Sequence, residues 1–267
     1  MSNIMNEPVG ILDSGVGGLT AVVAMQEALQ GESIVYLGDS LRMPYGNKSP
    51  QEIVKLASHL IRFLEDCGVK VILLACNTIS SYIDKLESSV KLFSIIEAGA
   101  LAACEIVKEP SVGLIATKAT TDMGMYEFTI AKHNPYIDVV SNSSASLPKI
   151  IDSQLENKPL LYENIREVLD PVLKKDKRIK SLILGCSHFP IIKNEISHIY
   201  PDIRLIDPAI KQVDMLKSYL TRNNLLNDTG DPKITLFTTA ETYEYAAAIK
   251  RLNLEVDALL KVALDID

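Results

Sequence analysis

The sequence predicts an α/β protein of two similar domains, each on a mostly parallel sheet, facing a central cleft and related by a pseudo-twofold axis. Three observations carry this. Short apolar runs of strand length alternate with amphipathic stretches of helical length, the pattern of parallel strands joined by crossover helices. Residues 71–78, V-I-L-L-A-C-N-T, and 181–188, S-L-I-L-G-C-S-H, share one design: an apolar run, a small residue, a cysteine and two polar residues. A second pair, Val9-Gly10-Ile11-Leu12-Asp13-Ser14 and Val112-Gly113-Leu114-Ile115-Ala116-Thr117, repeats at a comparable separation, 103 residues against 110. A duplicated half-protein accounts for both.

The expected strands are 8–13, 34–38, 70–75, 92–96, 111–116, 137–141, 180–185, 203–207 and 234–238. Apolar runs of this length bounded by turn residues suit buried parallel strands, which puts Cys76 and Cys186 at strand C-terminal ends, where open α/β sheets bind ligands. A helix begins at Ser49-Pro50-Gln51-Glu52: serine as N-cap, proline in the first turn and glutamate three residues on make a capping box. It runs through Ile53, Leu56, Leu60, Ile61 and Leu64 to a stop at Gly68. The second-half pattern starts near Ala98, and the chain returns to the first half after strand 203–207. The expected first domain is therefore discontinuous, 1–97 plus 208–267 with Asp13 and Cys76, and the second is 98–207 with Cys186 and His188.

At 267 residues, 47% hydrophobic and 23% charged, the chain is long enough for two ordinary cores. A formal charge of −7 argues against nucleic acid as the partner. No basic leader precedes an apolar segment at the N-terminus, and no apolar run is long enough to span a bilayer. The four cysteines have no C-x-x-C spacing, which fits a reducing cytoplasm better than a disulfide framework. Cys67 and Cys104 fall in helical patterns and are expected to pack as small hydrophobes.

Three motifs bear on chemistry. Asp13-Ser14-Gly15-Val16-Gly17-Gly18 follows a strand and opens a helix, so its glycines can turn the backbone and aim amides at an anion. It lacks the lysine and spacing of a phosphate loop, and a carboxylate-binding turn or a plain strand–helix connection remain the alternatives. The cysteine pair supplies two thiols beside hydroxyl and amide donors at helix starts, where a lowered thiol pKa is expected. His188 could hold Cys186 as thiolate, move a proton or donate to a carboxylate; half of a zinc site is the weaker reading, since no finger-like ligand spacing accompanies it. Gly38-Asp39-Ser40-Leu41-Arg42-Met43-Pro44-Tyr45-Gly46 reads by itself only as a loop on the same edge.

Together these segments resemble the glutamate racemases of the aspartate/glutamate racemase superfamily. The resemblance runs through G-I-L-D-S-G-V-G-G-L-T at 10–20, Y-L-G-D-S at 36–40, P-Y-G at 44–46, A-C-N-T at 75–78, I-I-E-A-G-A at 95–100, I-A-T-K-A-T at 115–120, L-G-C-S-H-F-P at 184–190 and L-I-D-P-A at 205–209. It implies a racemase needing neither pyridoxal phosphate nor metal, acting on glutamate for peptidoglycan synthesis, cytoplasmic and homodimeric, with no nucleic-acid or membrane partner. Cys76 and Cys186 become thiols on opposite faces of the substrate α-carbon, Cys76 as base for D-glutamate and Cys186 for L-glutamate. Asp13 and His188 become accessory acid/base groups; Ser14, Tyr45, Gly46, Asn77, Thr78, Thr117, Ser187 and His188, with Asp13, become substrate contacts. The chain departs from the family in writing C-S-H-F-P where C-T-H-Y-P is usual. It also lacks the C-P-x-x-x-P-x-V-E segment, leaving Asp152 and Glu156 as candidates for the second-domain carboxylate. An aspartate racemase, a regulatory protein that keeps the fold, and a thiol–disulfide oxidoreductase are the competing readings.

Overall fold

The computed structural model describes residues 4–227 and 230–264. Its strands form two sheets in which every pairing is parallel. The larger sheet contains β1 (Val9–Asp13), β2 (Ile34–Gly38), β3 (Val71–Leu74), β4 (Lys91–Ser94), β9 (Ile234–Thr238) and β10 (Ala258–Lys261), in the order β10-β9-β2-β1-β3-β4. The smaller contains β5 (Ser111–Ala116), β6 (Asp138–Ser143), β7 (Ser181–Gly185) and β8 (Arg204–Ile206), in the order β6-β5-β7-β8. The run β2-β1-β3-β4 and the whole second sheet are thus one topology written twice, with β1 matching β5 and β3 matching β7. All nine expected strands are present, within a few residues of the expected ends. Strand 92–96 stops at Ser94, because the Ser94 hydroxyl accepts the amides of Ile96 and Glu97, 3.2 Å each, and starts a helix there. The strand β10 lies outside the nine expected: its apolar run Ala258-Leu259-Leu260 is short and sits on a part-exposed edge of the sheet.

The helices are α1 (Leu19–Ala28), α2 (Pro50–Asp66), α3 (Asn77–Ser80), α4 (Ile95–Ile106), α5 (Lys118–Met123), α6 (Met125–His133), α7 (Leu147–Ser153), α8 (Lys158–Lys175), α9 (Lys193–Ile199), α10 (Pro208–Arg222) and α11 (Thr242–Leu252). The capping box forms as expected: Glu52 N donates to Ser49 Oγ at 3.3 Å, and Ser49 N donates to Glu52 Oε2 at 2.9 Å. Gly68 follows with φ +74°, the left-handed conformation that ends a helix at least cost for glycine.

Three apolar clusters fix where the cleft lies. One packs α2 on the larger sheet and includes Cys76; another packs α7 and α8 on the smaller sheet and includes Cys186. The third spans both sheets, joining Ile11 and Leu73 to Leu114 and Ile183 through Ala100 and Ala103 of α4 and Val213 of α10. Small residues on α4 allow this closeness: a Cβ on Gly99 would lie 2.8 Å from the Tyr126 ring. The two halves are therefore welded on one side and open at the strand C-terminal ends. Among the described residues no helix is long and apolar enough to cross a membrane.

Removing the α2 cap tests the local reading. Ser49→Ala should lower unfolding stability by about 1 kcal/mol, read as a shift in urea midpoint, while leaving the circular dichroism of the folded chain unchanged.

Candidate active site

Each sheet reverses its strand order between the first and third strands of its half. In such sheets the crevice beyond the carboxyl ends at the reversal is where ligands bind. In the larger sheet that crevice lies between the ends of β1 and β3, which carry Asp13 with Ser14 and Cys76. In the smaller sheet it lies between β5 and β7, which carry Thr117 and Cys186. The two crevices share one cleft of about 100 Å³, lined by Ser14, Tyr45, Gly46, Asn77, Thr78, Thr117, Ser187 and His188 around the two cysteines. Asp13 sits behind the lining, fully buried.

The glycine turn after β1 binds a carboxylate, but that carboxylate is Asp13 itself. Gly18 and Gly15 donate their amides to Asp13 Oδ2 at 2.9 and 3.2 Å, and Ser187 Oγ of the opposite half donates to the same oxygen at 3.3 Å. These glycines meet a demand for space, since only Gly68 and Gly124 among the described glycines have positive φ. A Cβ on Gly18 would lie 2.5 Å from Asp13 Cβ, and one on Gly17 would lie 2.5 Å from His188 Nδ1. Asp13 Oδ1 is buried with no hydrogen-bond partner. Burial raises the Asp13 pKa against the opposing pull of His188 and the Gly18 and Gly15 amides.

Cys76 caps α3 and is buried, its Sγ donating to Ser14 Oγ at 3.4 Å. Its expected lowered pKa is not met. Burial first, and the Asp13 charge second, push the thiol up to about 12, outweighing Ser14 and the Ile79 amide. A four-residue helix offers too little dipole to offset removal from water. Burial and the Asp13 charge both favour the thiol over the thiolate at Cys76.

The other side has the opposite electrostatics. Cys186 Sγ lies 3.8 Å from His188 Nδ1, and His188 Nε2 lies 3.2 Å from Asp152 Oδ2. The latter is an ion-pair distance, off the line of a hydrogen bond. Burial opposes protonation of His188, but the Asp152 carboxylate and the Cys186 sulfur outweigh it and hold the imidazolium well above its ordinary range. Of the two candidate carboxylates, α7 brings Asp152 to His188, while Glu156 lies beyond the helix end and is exposed. The charge difference between the two thiols is therefore built in: a buried carboxylate beside Cys76, a cation beside Cys186.

Hydroxyls and an amide line the floor between them. Thr78 and Thr117, one from each half, have their oxygens 3.1 Å apart, and Thr120 lies 3.0 Å from Thr117. Tyr126 donates to Asn77 Oδ1 at 2.7 Å, which leaves the Asn77 NH₂ as the free donor. Tyr126 and Thr120 were not anticipated. Thr120 follows Thr117 by three residues on one helical turn, a readable spacing; nothing near Tyr126 announces its reach to Asn77. The Tyr45 hydroxyl points away from the cleft, donating to Asp39 at 2.7 Å, so only its ring and backbone face the cavity. Cys67 and Cys104 lie outside the cleft, half-buried against helical partners. Among the described residues no three His, Cys, Asp or Glu side chains are grouped to hold a metal ion.

The state of Cys76 is measurable by alkylation with iodoacetamide and peptide mapping. At pH 8 its modification should be about a thousandfold slower than that of a free cysteine titrating near ~8.5. The rate should climb about tenfold per pH unit between pH 7 and 10, as the thiolate fraction does far below a pKa. A plateau below pH 9 contradicts the buried-thiol assignment.

A family model described as Asp/Glu/Hydantoin racemase matches residues 14–216. The chain is 35% identical to glutamate racemase 2 of Caldanaerobacter subterraneus subsp. tengcongensis, over 97% of this chain and 98% of that protein. Among solved structures, a glutamate racemase isoform of Bacillus anthracis superimposes with a TM-score of 0.91 at 30% identity, covering 97% of this chain and 98% of that one. The glutamate racemase of Francisella tularensis subsp. tularensis, solved with D-glutamate, gives 0.88 at 36% identity, covering 98% and 99%. With matching strand order, two opposed thiols in one cleft and these similarities, the chain belongs to the Asp/Glu/hydantoin racemase family.

Proposed function

We propose that the chain is a cofactor-independent glutamate racemase that interconverts L- and D-glutamate by proton transfer between Cys76 and Cys186. The observation that carries this is the placement of the two thiols at equivalent strand ends of duplicated sheets, on either side of one cleft. A planar α-carbon between two such groups can lose a proton to one face and gain one from the other without turning over. One thiolate takes the Cα proton and becomes a thiol; the opposite thiol delivers its proton to the resulting carbanion and becomes a thiolate. The reaction is balanced without redox chemistry, and the next turnover runs from the other face.

The surroundings divide the labour. In this reading Cys76, with Asp13 and Ser14, serves D-glutamate, and Cys186, with His188 and Asp152, serves L-glutamate. Asp13, whose raised pKa suits a proton carrier, can receive the Cys76 proton. In this reading the substrate ammonium enters beside Cys76 and brings a positive charge to the side that carries Asp13. His188, with Nδ1 3.8 Å from the Cys186 sulfur, is placed to exchange a proton on that side. Carbanion charge spreads into the α-carboxylate, which Asn77, Thr78, Thr117 and Ser187 can meet with fixed donors. The assigned substrate contacts are these together with Ser14, His188 and the Tyr45–Gly46 backbone. We take the first domain as 1–97 with 208–267 and the second as 98–207, the enzyme as a cytoplasmic homodimer, and its product as a supply for peptidoglycan.

Incubating purified protein with L-glutamate should extinguish its circular dichroism signal without added cofactor. Loss of the signal from L-aspartate in place of L-glutamate would overturn the substrate assignment. Cys76→Ser and Cys186→Ser should each lower racemisation by about 10²–10⁴-fold, because a hydroxyl is a very poor base. Elimination from an analogue with a β-leaving group needs only the first abstraction. Cys76→Ser should therefore keep elimination from the L-analogue, and Cys186→Ser from the D-analogue; equal loss of both in each variant defeats the division of faces. Asp152→Asn removes the carboxylate that raises the His188 pKa, so the alkaline limb of the pH–rate profile should move to lower pH. An unmoved limb removes Asp152 from the mechanism.

A further inference from the structure

The loop 39–47 forms one wall of the cleft through Met43, Pro44, Tyr45, Gly46 and Asn47. It has little regular structure, only short 3₁₀ turns at Ser40–Arg42 and Tyr45–Asn47. Beneath it lies the fully buried carboxylate of Asp39, with three donors. Tyr45 Oη donates to Oδ2 at 2.7 Å. Thr239, just after β9, donates its hydroxyl to Oδ1 at 2.7 Å, and Arg42 Nη1 donates to the same oxygen at 2.8 Å. The outer ends of these donors are tied in turn. Thr239 Oγ1 accepts the Leu41 amide at 3.1 Å, and Arg42 Nη2 donates to the Leu264 carbonyl at 3.2 Å. One buried anion thus gathers the start of the loop, its cleft-facing tyrosine and the chain that returns from β9 and β10.

Burying a carboxylate is costly unless it is paired and hydrogen-bonded. The ring of Tyr45 already packs in the apolar cluster of the larger sheet, so burial alone does not need its hydroxyl on an acid. What the Tyr45–Asp39 bond adds is a fixed rotation and depth for the tyrosine, and hence for the backbone of Gly46, where an added Cβ would lie 3.4 Å from Thr117 Cβ of the opposite half. A shift of this wall changes the width of the cleft where a substrate carboxylate must fit, without touching either thiol.

We infer that Asp39 is a positioning residue: through Tyr45 it sets the Tyr45–Gly46 wall of the substrate cleft, and through Arg42 and Thr239 it couples that wall to the C-terminal segment. The inference rests on the racemase reading for its substrate and on the geometry alone for its positioning. Such a residue acts on binding rather than on proton transfer, so its loss should appear in KM with kcat kept.

The test uses the full chain with Asp39→Asn, Tyr45→Phe, the double variant and Thr239→Val, each checked by thermal melting. With L-glutamate, Asp39→Asn and Tyr45→Phe should each raise KM about tenfold with kcat within about twofold of wild type, the scale of one lost charge-assisted hydrogen bond. The double variant should be no worse than the worse single one, because both remove the same bond. Thr239→Val should raise KM less, and it serves in place of Asp39→Asn should that variant not fold. Hydrogen exchange of the Asn47 and Lys48 amides, measured in parallel without substrate, should speed up in the variants at unchanged global melting. Unchanged KM and unchanged exchange in folded Tyr45→Phe, multiplying KM effects in the double variant, or losses confined to kcat would each overturn the inference. A wild-type chain that does not racemise glutamate overturns the substrate reading instead, and the exchange arm then decides the positioning role.

Discussion

Burial of the Asp13 carboxylate is the constraint on which the site depends. A charge at the end of a central strand, away from water, must be met by donors from every side. Two come from the glycine turn that follows, which explains why that turn is built from residues without side chains. A third comes from Ser187 of the other half, so satisfying the acid also draws the two halves together above the weld formed by α4 and α10. Tyr36 closes the underside by donating to the Gly15 carbonyl. The arrangement leaves Oδ1 unpartnered on a fully buried acid; burial raises the Asp13 pKa, and the Asp13 charge adds to the larger effect of burial in raising the Cys76 pKa.

The duplicated architecture supplies geometric symmetry, and the inserted charges break it. Both thiols follow the third strand of a half, yet Cys76 faces a carboxylate and Cys186 faces an imidazolium backed by Asp152. Two equal thiols would lack any preset order of proton occupancy. Unequal surroundings set the two sides apart: burial and the Asp13 charge push the Cys76 thiol up, while Cys186 lies 3.8 Å from the His188 ring. The hydroxyl and amide floor between them is built from both halves, Thr78 and Asn77 from one and Thr117 from the other. The cleft is therefore as much a product of how the halves dock as of either half alone.

Much of this was legible in the chain. Period and length of apolar runs gave the parallel strands, because a strand buried on both faces must be apolar throughout. The twin cysteine segments and the twin β1/β5 segments gave the duplication, since equivalent positions in equivalent sheets need equivalent local sequences. Ser49 and Glu52 specified their own helix start, a purely local hydrogen-bond exchange. Only tertiary structure decided the rest, for reasons of distance and dielectric. Short-range patterns place Cys76 at a helix start and suggest a lowered pKa; the fold buries it beside Asp13 and reverses the sign. Sequence left Asp152 and Glu156 equivalent, four residues apart; the packing of α7 under His188 separates them. Tyr126 reaches Asn77 across 49 residues, and Asp39 meets Thr239 across 200, contacts that no local pattern encodes. Sequence determined which elements form and where the thiols stand along them, because those depend on neighbours in the chain. The fold alone decided which charges face which thiol, because that depends on neighbours in space.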